Sequence, residues 1–266
     1  MDINALHNCF AATLDADINN RRRAELELKE ANKAPGFING CLDIVLEPQV
    51  SNGVKAAAAV YLKNRVSGHW MPYDKNATDK IDEGEKPVFR ERIIPALIKV
   101  SPPIRPVLVS ILNSIVSYDY PKQWPELLDV TLKLFQNNDV DSIRCGLTCL
   151  LEVARYYRWT SGESRVGLDG VIEIAFAGVL SVGNSLVNEN NAAAGEMLRD
   201  VLKIYKMASY VSAEPHSLCF HSSDARLERS ERSHGVWGGA PAARGRVPPP
   251  QKRLELELTL NSNNCP

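Results

Sequence analysis

The chain has 266 residues, 44% of them apolar, enough for one or two ordinary domains with a substantial core. Its 31 basic and 32 acidic side chains leave a formal charge of −1, so no net field draws it to nucleic acid or an anionic membrane surface. The 6 cysteines include no CxxC and no histidine at zinc-finger spacing, which excludes a disulfide framework or zinc site and leaves buried thiols as the expectation.

In chain order, the start MDINALHNCF lacks the basic end and long apolar run of a signal sequence, so a cytosolic chain is expected. Asp2 can cap a first helix to about Leu14, and Asp17 a second in which Ala24, Leu28 and Ala31 share one side. Pro35 and Gly36 break that pair. A third helix then buries Phe37, Cys41, Ile44 and Val45 before Pro48. Ser51 caps a fourth, whose stripe Val54, Ala57, Ala58, Tyr61, Leu62 and Val66 is narrow and rich in alanine. Such a helix packs closely on neighbours but cannot build a core alone. It closes at Gly68-His69-Trp70, and a polar surface loop runs from Met71 to Gly84, where Asn76 and Thr78 form a glycosylation sequon that is set aside for want of a leader.

Beyond the loop, Phe89, Ile93, Ala96, Leu97 and Val100 mark one helix, and Ser101-Pro102-Pro103 leads into the next. There Ile104, Val107, Leu108, Ile111, Leu112 and Ile115 keep helical spacing until Asp119-Tyr120-Pro121. After a short turn at Pro121-Lys122-Gln123-Trp124, a helix starting near Trp124-Pro125 carries Leu127, Leu128, Leu134 and Phe135; Asp139 or Asp141 caps its partner, with Ile143, Leu147, Leu150, Leu151, Ala154 and Tyr157 inward. A fifth pair spans Leu168 to Leu180 and Ala192 to Met207. Its apolar tract Ile174 to Val182 is about half the roughly 20 residues a membrane helix needs, so no membrane span is expected. The reading is all-α: about five antiparallel helix pairs at HEAT-like spacing over residues 1–209. Residues 210–266 turn rich in Ser, Arg, Pro and Gly, and a disordered or non-homologous tail is expected, such as a read-through or frame change would add. Its arginines, among them Arg226, Arg229 and Arg232, lack interleaved aromatics, so nucleic-acid binding is not expected.

Three signatures, Arg23-Ala24-Glu25-Leu26 with Leu28, Ala57 to Asn64 leading to Trp70, and Asp119-Tyr120-Pro121-Lys122-Gln123-Trp124, together resemble the N-terminal domain of the importin-β superfamily of nuclear transport receptors. The importin N-terminal signature covers about residues 21–101. Met1-Asp2-Ile3, Cys9-Phe10, Thr13-Leu14-Asp15 and Pro35-Gly36-Phe37 are most similar to the fungal relatives of importins seven and eight. The resemblance implies a right-handed α-solenoid whose inner, second helices dock the small GTPase Ran in its GTP form. It also implies a role in protein import between cytoplasm and nucleus at the nuclear pore, with nucleoporins and cargo proteins as partners of the longer family members.

Lys55, Lys63, Asn64, Asn113 and Asp119 are the candidate Ran contacts; for the first four an ordinary solvated face is the open alternative. Arg23, Glu25, Tyr61, Leu62, Trp70, Pro121 and Trp124 carry the signature, and an aspartate before proline with a nearby tryptophan also reads as turn and anchor. Arg21 to Arg23 read as a helix surface paired with Glu25 and Glu27. Cys145 and Cys149, one turn apart, and the solitary His7 and His69 read as packing residues. No phosphate loop, GxSxG elbow or HExxH pair occurs, so neither enzyme activity, a metal nor a cofactor is expected. A HEAT scaffold indifferent to Ran is the rival reading.

Overall fold

The computed structural model describes residues 2–71, 79–137 and 139–209; the Asn76 sequon and the expected tail lie outside the described residues. Five side-chain caps start helices. Asp2 accepts from the N–H groups of Asn4 and Ala5, Asp17 from Asn19, Ser51 from Val54, Asp139 from Ser142 and Asn191 from Ala194. The pairs are α1 (Ile3–Ala12) with α2 (Ile18–Ala31), α3 (Phe37–Leu46) with α4 (Asn52–His69), and α5 (Glu85–Lys99) with α6 (Arg105–Asp119). Then α7 (Leu127–Gln136) pairs with α8 (Val140–Tyr157), and α10 (Phe176–Leu186) with α11 (Ala192–Ala208), α9 (Val166–Gly170) leading into α10 through a π turn. Among the described residues every regular element is helical.

The pairs stack in two layers. Helices α1, α3, α5, α7 and α9–α10 form the first; α2, α4, α6, α8 and α11 form the second, with α4 on α6, α6 on α8 and α8 on α11. One apolar core runs between them, through Phe10, Phe37, Leu62, Trp70, Phe89, Ile111, Leu150, Val179 and Val201. Small residues set the spacing: a Cβ on Gly146 would stand 2.7 Å from the Phe135 ring, and one on Gly167 2.8 Å from that of Tyr157. The antiparallel pairs expected from the spacing are thus present.

Two elements differ in extent from the expectation. The turn expected over Pro121–Trp124 is present, the Asp119 carbonyl accepting from the N–H groups of Gln123 (2.6 Å) and Trp124 (3.1 Å), and helix α7 begins at Leu127, two residues beyond Pro125. The expected Leu168–Leu180 helix is part of a run, Gly162–Leu186, of 25 residues, long and apolar enough by length and composition to cross a membrane. Buried core helices pass the same test. Here 44% of its most apolar window is buried, and it packs on α7, α8 and α11.

Candidate functional site

Stacking the second layer leaves one side of each of its helices uncovered. On α4 that side is Ala56, Val60, Asn64 and Ser67, spaced by four, four and three residues, all exposed. On α6 it is Ser110 with the half-buried Ser114 and Ser117; Ser67 Oγ and Ser114 Oγ approach to 3.4 Å and join the two helices. From Pro106 to Tyr118 helix α6 carries no charged residue. The flanks differ: α2 exposes Arg22, Arg23, Glu25 and Glu30, and α8 exposes Asp141 and Arg155. An uncharged strip of small side chains therefore lies between two charged faces. Interface centres are depleted of charge in the same way, because no ion has to be desolvated there.

The five sequence candidates do not converge on that strip. Asn64 lies on it. Lys55, nine positions earlier, falls on the opposite side of α4, about two and a half turns away, in line with buried Leu62. Lys63 is half-buried at the edge. Asn113 faces α8, its amide donating to Glu152 Oε2 at 2.8 Å. Glu152 is itself buried and its Oε1 accepts from Arg155 Nη1 at 2.6 Å; burial pushes its carboxyl above the usual range although both partners favour the charge.

Asp119 is corrected from docking residue to internal tie. It is 1% exposed, its Oδ1 accepts from Trp70 Nε1 at 3.1 Å and its Oδ2 from Arg90 Nη1 at 2.8 Å, so neither oxygen is offered to a partner. One carboxylate thereby joins the C-terminal ends of α4 and α6 to the second turn of α5. Of the signature residues, Leu62, Trp70 and Trp124 are buried, Pro121 is half-buried, and Tyr61 stacks edge-on to Phe10 at 5.5 Å. Burial and the nearby Glu25 carboxylate raise the Tyr61 phenol. Arg23 is exposed and 3.7 Å from Glu27, while Arg21 donates to the carbonyls of Asp15 and Ala16. A search for charged contacts overlooks Ala56, Val60, Ser67 and Ser110; the available signal was the uncharged stretch of α6 itself.

Small, uncharged side chains of this kind suit recognition of a partner surface. Among the described residues no three His, Cys, Asp or Glu side chains gather to hold a metal. The Cys149 thiol is pushed well above its ordinary pKa by the adjoining Cys145 and by burial, which keeps it protonated and unreactive. The loop edge is held by Arg65, whose guanidinium lies 2.5 Å from Asp79; burial opposes the Asp79 charge, but Arg65 and His69 hold its pKa below the ordinary value.

Residues 24–99 match the family described as importin-beta N-terminal domain. This part of the chain is similar to the importin-β superfamily. Nonsense-mediated mRNA decay protein 5 of Saccharomyces cerevisiae is 35% identical over 279 aligned residues, covering 99% of this chain and 26% of its own length. Importin-8 of Homo sapiens is 26% identical over 210 residues, 77% of this chain and 20% of the relative. The fold is similar to that of the exportin Cse1 in its cargo-free, cytoplasmic state, with a TM-score of 0.69 and 21% identity over 81% of this chain and 24% of Cse1. The chain thus spans about a quarter or less of the curated relatives it matches.

Proposed function

We propose that the uncharged strip of α4 and α6 docks the small GTPase Ran in its GTP form, and that the chain is the first part of a receptor for nucleocytoplasmic protein import. The observation that carries this reading is the exposed strip Ala56, Val60, Asn64, Ser67 and Ser110, most of it inside the importin-beta N-terminal domain. A row of stacked helices buries a large partner surface without needing a pocket. Preference for one nucleotide state requires contacts that the other state lacks, and closely fitted small side chains would register a change in a partner's backbone. By the same family reading, nucleoporins and cargo proteins are further partners of the whole receptor, and the receptor moves between cytoplasm and nucleus.

The test is binding of the purified chain to Ran loaded with GTP or GDP, alongside a Val60→Glu, Ser110→Glu double variant. Both positions are exposed, so the variant should keep its helical circular dichroism. Selective capture of the GTP form, lost in the variant, is expected. Equal binding of both states, or none, would remove Ran from the reading and favour a HEAT scaffold.

A further inference from the structure

One helix of the first layer keeps an apolar side open. Helix α10 meets α7 on one flank, where Leu132 and Phe135 lie against Gly178, and α11 on another. Ala175, Phe176, Val179, Val182 and Leu186 turn inward. The residues between them, Ile174, Ala177, Leu180, Ser181, Asn184 and Val187, share the remaining side at helical spacing. All are exposed, Ile174 by 50%, Leu180 by 48% and Val187 by 64%. No charged residue occurs from Ile174 to Asn188. The last pair of a helical array normally turns a polar face outward, so an uncharged one on the last described pair calls for cover.

The order of residues along this side says what fits it. When a second α10 is laid antiparallel about the midpoint between Leu180 and Ser181, Ile174 meets Val187, Ala177 meets Asn184 and Leu180 meets Ser181. Each larger side chain then faces a smaller one or an apolar equal, and no ion is buried. Just beyond, Glu173 falls opposite Asn188, so its carboxylate faces an amide and not a second carboxylate. A two-fold axis makes every one of these contacts twice.

We infer that this side of α10 binds a second copy of the chain through an antiparallel, two-fold α10–α10 contact. Two helices touching over about 20 Å cover less than the roughly 800 Å² per partner of a standard interface, so the dimer forms reversibly, with a Kd on the order of 10–100 μM. The contact uses the first layer, whereas the strip proposed for Ran lies on the second. Ran binding and self-association are therefore separable.

The experiment is sedimentation velocity of the full chain in reducing buffer over about a hundred-fold range of concentration spanning that Kd. A monomer–dimer equilibrium is expected, weakened about ten-fold or more by Leu180→Glu, which sets two carboxylates beside the axis. Should that variant lose its helical circular dichroism, Ser181→Glu makes the same test at a neighbouring exposed position. Oxidised Ser181→Cys should cross-link two copies above the background of the native cysteines, and Glu196→Cys on α11 should not. A chain that stays monomeric throughout, or a dimer that neither glutamate substitution weakens, would overturn the inference. So would a monomeric chain that floats with neutral phosphatidylcholine vesicles, which would assign the face to lipid.

Discussion

Asp119 shows how much one carboxylate can hold. Replacing it with alanine leaves the Arg90 guanidinium, 14% exposed, and the buried Trp70 N–H without their acceptor, and should cost roughly 3 kcal/mol in urea unfolding. Asp119→Asn keeps an acceptor for Trp70 and should cost less. Beside it, Tyr120 donates to the Gly167 carbonyl at 3.0 Å, and burial, then the neighbouring Tyr157, push its phenol from 10.0 to about 12. Between those values the unfolded chain loses the proton while the folded chain keeps it, so folding stability should fall as pH rises from 10.0 toward about 12. Unfolding measured across that range should be less pH-dependent in Tyr120→Phe. Sequence alone marked Asp119 and Trp124 by their turn chemistry. It could not show that Trp70, 49 positions away, donates its indole N–H to the aspartate's oxygen, because that contact exists only once α4 and α6 stack.

Among the helices, α3 depends on its neighbour for a cap. Gly36, at φ 85° in the left-handed region, precedes it and offers no side chain. Glu85, the first residue of α5, supplies the acceptor instead, its carboxylate taking the N–H of Gly36 at 3.2 Å and the side-chain amide of Asn39 at 3.2 Å. Arg92 donates to Asn39 at 2.9 Å and pairs with Asp43, so α5 grips α3 at two levels. Glu85→Ala should therefore cost about 1 kcal/mol, as loss of a helix cap does, and chemical denaturation would read it. Smaller loss than a few tenths would mean that water caps α3 equally well. Caps drawn from a helix's own preceding residue, such as Asp17 and Ser51, were legible because the partner lies within three positions. Glu85 was not, since nothing local links positions 36 and 85.

Across the whole molecule the stack is unevenly secured. Helix α2 buries only Ala24 and Leu28 and packs chiefly on α1, whereas α4, α6 and α8 are each held on several sides. Amide exchange should accordingly be faster in α2 than in those three, and equal protection would show that the array opens only as one unit. The sequence by itself determined the helices and their pairing. Apolar spacing, caps and breakers are local quantities, and near-neighbour pairing follows from short connections. The resemblance to importin-β, carried by three short signatures, was legible for the same reason. Only the tertiary structure decided which polar residues meet a surface. It took Asp119 inward, turned Lys55 toward the packed side of α4, tied Asn113 to Glu152 and left an uncharged strip between charged flanks. The physical reason is that a residue's exposure on a stacked helix is set by the neighbouring helices, which lie tens of positions away in the chain.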